Sequence, residues 1–442
     1  MNVITPPKRL SASPIGTDPS KAPDPDLDFS PIPKERYTSE RFMQLEWERL
    51  WTKVWHVAGR ERSIPDAGDY FTYDFGPESL LFVRQRDGGI RGFYNVCLHR
   101  GNQLRPGRQE GAADSFRCSY HHWEWHLDGS LKNIPDQETF PQLPPCEKLS
   151  LKEFKVDRWG GFIWFCLDSA GPSLRDYLGV IPGHLDCYEF DRMVCTNNVT
   201  IPWECNWKTS VDAFNETYHV QGIHPQIMPW HDDVNIQIDC YDRHSRFLAP
   251  FMAPSPRLSH EEMQKLDPVM RGVLQMLQLD PGEYENNAMA AREAMQQKKR
   301  AIQDHTHFPY KNLNDDQLTD DYHYTIFPNM QLNIFAESLM VFVSRPHPTD
   351  PNKMFWDLMN LTYVPEGEEK EDAPHQFTTQ EEFQTPNPGT KEVLDQDAYN
   401  LPYVQRGMKS GAYDGLILGT QELRIAHFHN TLMRYIGEDC AN

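Results

Sequence analysis

The chain has 442 residues, 39% hydrophobic and 12% aromatic, enough for a substantial core in two or three domains. Its 64 acidic residues against 43 basic ones give a formal net charge of -21, which argues against nucleic acid or an anionic membrane surface as main partner. No apolar run approaches the ~18 residues of a membrane-spanning helix, and the opening MNVITPPKRLSASPIG lacks the apolar core of a secretory signal, so a cytoplasmic location is expected.

Nine cysteines, at 97, 118, 146, 166, 187, 195, 205, 240 and 440, are an odd number spread over a long chain. They do not form a disulfide framework, and a reducing compartment leaves thiolates free for metal. Residues 1–36 hold eight prolines and few large apolar side chains, and read as an extended arm, disordered or laid over a neighbouring subunit. SERFMQLEWERLWTKVW then reads as an amphipathic helix, with Ser39 as cap and Phe42, Leu45, Trp47, Leu50 and Trp51 on its apolar face. Residues 37–169 form the next domain: after the helix come short strands such as GDYFTYDFG, SLLFVRQRDGG, IRGFYNVCLH, WEWHLDGSL and RWGGFIWFCLD, with tight turns at the Asp-Gly pairs 87–88 and 128–129.

A further domain, 170–442, starts with a strand at NNVTIPWE and a helix over NWKTSVDAFNETYHV. Residues 256–308 read as a polar helical insertion, a lid, a subunit contact or an inert surface block, in which Asp267-Pro268 is N-cap and first helical position. Met270, Val273, Leu274 and Leu277 share one face of that helix. Strands return in YHYTIFPNMQLNIFAESLMVFVSRPH and FWDLMNLTYV, and two helices, about 390–410 and 420–437, close an α+β chain without internal repeats.

The stretch CLHRGNQLRPGRQEGAADSFRCSYHHW carries Cys97-x-His99 and Cys118-x2-His121, each where a strand gives way to a turn. Two thiols and two imidazoles admit a tetrahedral zinc, or a [2Fe–2S] cluster in which the cysteines hold one iron and the histidines the other. Zinc fingers favour a Cys pair followed by a His pair, whereas alternating Cys-His, Cys-His is the Rieske order. Here the chain resembles the Rieske non-haem iron oxygenases, specifically their catalytic α subunits, through CLHRG and CSYHHW. Ser119 stands where the family writes Pro, and His122 where it writes Gly, a residue that relaxes a strained turn.

In NWKTSVDAFNETYHVQGIH, Asp212, Glu216 and His219 fall at i, i+4 and i+7, on one face of a continuous helix. His224 lies five residues further, and Gly222 and Pro225 allow the chain to bring it back. Two imidazoles and a carboxylate make the facial triad that leaves ferrous iron open to dioxygen. The segment is similar to the family's Asn-Trp-Lys…Tyr-His…His signature at Asn206, Trp207, Lys208, Tyr218, His219 and His224. Glu216 takes the place of the bridging carboxylate. It is Asp in most ring-hydroxylating dioxygenases, and Glu in members acting on quaternary ammonium compounds. The third ligand implied is Asp397, which precedes Val404-Gln405 by seven and eight residues, with Asp395 as competitor. Pro402 should kink this helix or make it begin late.

The resemblance implies a Rieske antiparallel β domain followed by a helix-grip (START-like) catalytic domain, with a [2Fe–2S] cluster and a mononuclear Fe(II). With no G-x-G-x-x-G fingerprint and no plant-type cysteine run, electrons must come from a separate NAD(P)H reductase, with or without a ferredoxin. A homotrimer is expected, with or without a β subunit, and Glu216 should link each mononuclear iron to the cluster of a neighbouring subunit through His121. The first expectation for the substrate is an aromatic or polycyclic hydrophobic compound. Its alternatives are demethylation or C–N cleavage of a quaternary ammonium compound, and a non-catalytic electron carrier. Phe214, Trp230, Tyr241, Phe247 and Phe327 are the candidate pocket lining.

Overall fold

The computed structural model describes residues 21–22, 25–27, 29–141, 149–365, 367–368, 370–383 and 390–437. Most of the proline-rich stretch, Cys146 and Cys440 lie outside them. The chain divides into two compact units, one of residues 45–177 with 346–350, the other of 1–44, 178–345 and 351–442. The helix α1, Glu40–Glu46, starts under Ser39, whose Oγ accepts the Phe42 N–H at 3.2 Å, and buries Phe42 and Leu45.

In the first unit a seven-stranded antiparallel sheet is built from β1 (His56–Arg60), β2 (Asp69–Phe75), β3 (Glu78–Arg84), β4 (Ile90–Tyr94), β5 (Glu110–Ala112), β9 (Glu153–Trp159) and β10 (Phe162–Cys166), in the order β1-β10-β9-β4-β3-β2-β5. A smaller sheet joins β6 (Ser115–Arg117), β7 (Glu124–His126) and β8 (Leu131–Asn133). Both Asp-Gly pairs turn the chain as expected, with Gly88 at φ 81° and Gly129 at φ 83°. Gly76 is required twice over: its φ is 55°, and a Cβ there would stand 2.4 Å from the Trp47 ring. Phe93, Phe116, Trp123 and Trp125 bury Cys97 and Cys118 in one apolar cluster.

The second unit holds an eight-stranded sheet of β11 (Val194–Trp203), β12 (Gln237–Cys240), β13 (Ser245–Ala249), β14 (Asp321–Ile326), β15 (Met330–Ile334), β16 (Ser338–Pro346), β17 (Met354–Thr362) and β18 (Gln376–Phe377). The order is β12-β13-β14-β15-β16-β17-β11-β18, and only the last pair is parallel. The unit's helices include α2 (Trp207–Ala213), α3 (Val220–Ile223), α4 (Pro268–Met276), α5 (Ala288–Ala301), α6 (Thr390–Met408) and α7 (Leu423–Ile436). Asp267 caps α4 through the Val269 N–H at 2.7 Å, and Met270 and Leu274 pack on Ala288, Ala291 and Met295 of α5. The described part of the arm runs along its own unit: Ile32–Pro33 pairs with Gly415–Leu416, and the Ala22 N–H donates to Asp239 at 2.7 Å.

The helix expected over residues 206–220 is interrupted before α3 begins at Val220. Asn206 caps α2 by accepting the Lys208 N–H at 3.0 Å, but the helix stops at Ala213. Tertiary bonds take the next residues: Asn215 Oδ1 accepts from Thr325 at 2.6 Å, and Thr217 donates to the Asp233 carbonyl at 2.9 Å. Asp212 therefore does not share a face with His219. Its Oδ2 accepts the Tyr37 hydroxyl at 2.6 Å, and His429 sits 3.4 Å away. Pro402 neither breaks nor delays α6, which runs from Thr390 through to Met408. Among the described residues no helix is long and apolar enough to cross a membrane.

Candidate metal centres

The two loops of the 45–177 unit have the same hydrogen-bond pattern. Cys97 N–H donates to the Asn102 carbonyl at 2.8 Å, and Gly101 N–H to the Cys97 carbonyl at 3.1 Å. Cys118 N–H donates to the Trp123 carbonyl at 2.8 Å, and His122 N–H to the Cys118 carbonyl at 3.0 Å. Gly101 (φ 76°) and His122 (φ 61°) hold equivalent left-handed positions, so the His-for-Gly departure falls where the turn is strained. His122 is exposed, whereas the His99 and His121 rings meet at 4.4 Å and Trp123 stacks on His99 at 4.9 Å.

The donor chemistry of these loops fits an anionic metal–sulfur group. Burial pushes the Cys97 thiol up to about 11. Burial also acts to raise Cys118, but the main-chain N–H groups of Tyr120 and His121 and the side chains of Asn102 and Cys97 bring it below its ordinary value. His99 Nδ1 is buried without a partner among the described residues, an orphan that a metal would satisfy.

In the other unit, His219, His224 and Asp397 are brought together, with one candidate ligand atom of each lying within 4.8 Å of the others. His219 precedes α3 and His224 follows it, which restores by a short helix the meeting that a continuous helix would have prevented. His224 Nδ1 lies 2.6 Å from Gln396 Oε1, which also accepts from Gln226 Nε2 at 2.7 Å. Gln396 is thus the acceptor and His224 Nδ1 the donor, so the lone pair of its Nε2 faces Asp397 Oδ1 at 3.0 Å. His219 repeats the arrangement: Nδ1 donates to Glu216 Oε1 at 2.5 Å, and Nε2 stands 3.9 Å from the same Asp397 oxygen. Three acceptors converging on one point repel each other unless a cation lies among them, and two His with one carboxylate suit ferrous iron. The field has the sign such a cation requires: burial alone would depress His219, yet the Glu216 carboxylate, with Asp397, lifts it to about 9. Glu216 has less freedom than expected, since its Oε2 accepts the His219 main-chain N–H at 3.0 Å.

Asp397 is placed by the far end of its helix. Gln405 Oε1 accepts the Asn206 N–H at 2.9 Å and the Thr209 hydroxyl at 3.1 Å, tying α6 to the start of α2. Asp395 is half-buried and outside the group.

A cavity of about 120 Å³ opens on the triad. Phe214, Trp230 and Phe247 line it as expected, joined by Phe251, Phe335 and Phe342. Tyr241 and Phe327 do not: Tyr241 lines a separate cavity of about 890 Å³, and Phe327 packs on Phe428 and Tyr435 at 5.7 and 5.5 Å. Sequence reasoning missed the polar lining, Asp321, His323 and His231. Its signal was the alternation in DYHYT, which puts Asp321, His323 and Thr325 on one face of β14. Arg424 donates to His323 Nδ1 at 3.0 Å, so the ring carries its proton on Nε2, an atom with no partner among the described residues.

The model of the ring hydroxylating alpha subunit (catalytic domain) matches residues 190–438, and that of the Rieske [2Fe-2S] domain matches 54–149. The chain belongs to the Rieske oxygenase alpha subunits. The glycine betaine monooxygenase oxygenase subunit of Pseudomonas aeruginosa is 29% identical over 203 residues, 46% of each chain. The biphenyl 2,3-dioxygenase subunit alpha of Rhodococcus jostii is 35% identical over 192 residues, 41% of each. The matched stretch thus spans about half the length of the curated relatives. A solved quaternary ammonium Rieske monooxygenase, in its apo form, shares the fold with TM-score 0.64 at 19% identity, over 94% of this chain and 99% of that one.

Proposed function

We propose that this chain is the terminal oxygenase component of a multicomponent Rieske system and that its substrate is a quaternary ammonium compound of the carnitine or betaine kind. Cys97, His99, Cys118 and His121 hold a [2Fe–2S] cluster in this reading, and His219, His224 and Asp397 hold Fe(II). The observation that carries it is the convergence of three acceptors at one end of an aromatic-lined cavity. When bound, the two iron groups supply electron storage and dioxygen activation. The protein's share is positioning. Glu216 and Gln396 fix both imidazoles with Nε2 toward Asp397, and six aromatic rings keep water from the substrate.

Support for a quaternary ammonium over the aromatic compound expected first comes from lining and relatives. Ring faces attract a cation, and Glu216 stands at the bridging position. The relatives named above include a glycine betaine monooxygenase. Electrons are supplied by a separate NAD(P)H-dependent reductase, with or without a ferredoxin, to a cytoplasmic homotrimer.

Two measurements test the reading. Asp397→Ala should lose the mononuclear iron and activity while keeping the cluster's visible spectrum. If Asp395→Ala alone does so, the ligand assignment is off by two residues. With a surrogate reductase, oxygen uptake coupled to product should appear with carnitine, glycine betaine or choline. Product from biphenyl or naphthalene alone would return the aromatic reading.

A further inference from the structure

The carboxyl group of Asp321 belongs neither to the metal centre nor to the sheet's own bonding. Asp321 begins β14, is 5% exposed and lines the cavity that opens on the triad. Its Oδ1 has no hydrogen-bond partner among the described residues, and the only hydrogen-bond donor identified for the carboxyl group is the main-chain N–H of Ile334. Among the described residues no cation is recorded in an ion pair with it. Arg424 of α7 donates to Ser245, His323 and Thr325 at 3.1, 3.0 and 2.7 Å. Arg292 of α5 goes to the preceding residue, Asp320, at 2.6 Å. A buried carboxyl left unbalanced costs stability unless something else answers it. Asp321 shares that cavity's lining with Trp230, Phe247, Phe251 and Phe335, aromatic side chains of the kind that hold quaternary ammonium groups.

We propose that Asp321 is the specificity-determining residue of the substrate cavity, its carboxylate pairing with the substrate's quaternary ammonium group while the aromatic walls enclose the methyl groups. The inference rests on the substrate class proposed above and adds the residue that selects it. A cation without N–H groups cannot be read by hydrogen bonds, so a lone carboxylate and aromatic faces are the contacts such a group can use. A neutral isostere gains nothing from the carboxylate.

A consequence is proton release. In the empty cavity burial lifts the Asp321 carboxyl to about 8, against smaller opposing effects of the Ile334 N–H and Arg424, with Asp320 adding to the rise. The other ionisable groups lining the cavity are His323 on the same strand, His231 and Glu216 from the segments flanking α3, and His219, His224 and Asp397 of the metal centre. A bound cation stabilises the charged carboxylate, so below pH 8 its binding should expel a proton, and above pH 8 it should not.

The test uses the full chain loaded with both metals, kept anaerobic so that nothing turns over, and isothermal titration calorimetry in two buffers of different ionisation enthalpy. The probes are choline, glycine betaine and the neutral carbon isostere of choline, 3,3-dimethylbutan-1-ol. Wild-type protein should bind choline or betaine with release of close to one proton at pH 7. Asp321→Asn should weaken that binding at least tenfold, without proton release, and leave the isostere's affinity unchanged. If the wild type binds the cations and Asp321→Asn binds them equally well, the assignment to Asp321 fails while the substrate class survives. If the wild type binds none of the cations but takes up biphenyl or naphthalene, the substrate class fails and the role of Asp321 with it. Should Asp321→Asn fold poorly, the wild-type titration still decides: cation binding with no proton released overturns the proposal.

Discussion

At the scale of single residues, the two loops of the 45–177 unit offer an internal control. Gly101 and His122 play the same part in the same turn, one without strain and one with it. A non-glycine residue in the left-handed region costs roughly 1–2 kcal/mol, and His122 is exposed. His122→Gly should therefore stabilise the domain by about 1 kcal/mol, seen as later thermal loss of the cluster's visible absorbance. An unchanged or earlier loss would mean that His122 has a stabilising contact of its own. Glu216 can be examined in the same way. Glu216→Gln keeps an acceptor for His219 Nδ1 but removes the charge and turns the other oxygen into a donor facing the His219 N–H. Both metals should stay bound and peroxide-driven turnover should persist. NADH-driven turnover should fall about 10- to 100-fold, and equal losses in both assays would assign Glu216 to metal positioning alone. These residues were legible because short motifs with fixed spacing name them. Asp321 was not, because its meaning depends on what fails to bond to it, which a sequence does not display.

At the scale of elements, the discrepancies arise where tertiary contacts override local preference. NWKTSVDAFNETYHV has the composition of one helix and no glycine or proline to end it, yet Asn215 and Thr217 are taken by Thr325 and Asp233. Pro402 is the opposite case, a local breaker that the tertiary structure accommodates. In α6 it removes the N–H that would pair with the Ala398 carbonyl, and that carbonyl accepts instead from Gln380 Nε2 at 2.5 Å. Asp397 is the neighbouring residue, so this contact supports the metal centre as well as the helix. Gln380→Ala should cost about 1–3 kcal/mol, the penalty for an unsatisfied buried carbonyl. Pro402→Ala in that background should recover most of the loss, because residue 402 regains its N–H. A double-mutant cycle by urea denaturation gives the coupling, and additive effects would show that the two residues act separately. The insertion at 256–308 also finds an element-scale role. Arg292 on α5 donates to the Phe251 carbonyl at 2.7 Å and to Asp320 at 2.6 Å, bracing two neighbours of the cavity.

At the scale of the whole molecule, composition predicted only an acidic chain with a large core, and the groups that set its response to pH are few and buried. Burial depresses His184, His231 and His427 to about 4, and His323 well below its ordinary value. A histidine depressed in the folded state contributes stability that is complete above its unfolded value of about 6.5 and is lost as pH falls toward 4. Burial lifts Asp320 and Asp321 the other way, to about 7 and about 8. An acid raised in the folded state contributes stability that is complete below about 3.8 and is lost as pH rises through its folded value. Below pH 6.5, four histidines oppose two acids and stability should fall with acidification. Above it the raised acids act, joined in metal-free protein by His219, which is lifted to about 9, so stability should fall again as pH rises toward 8. The maximum should therefore lie near pH 6.5, with limbs of about 1 kcal/mol per pH unit for each unbalanced group. Urea midpoints followed by tryptophan fluorescence from pH 4.5 to 8.5 should trace this dome. Asp321→Asn has no proton to lose and should flatten the alkaline limb and steepen the acid limb, where Asp321 had opposed the histidines. A flat profile between pH 6.5 and 8 in the wild type would mean that Asp320 and Asp321 stay ionised when buried, and that a counter-charge compensates them in the folded protein.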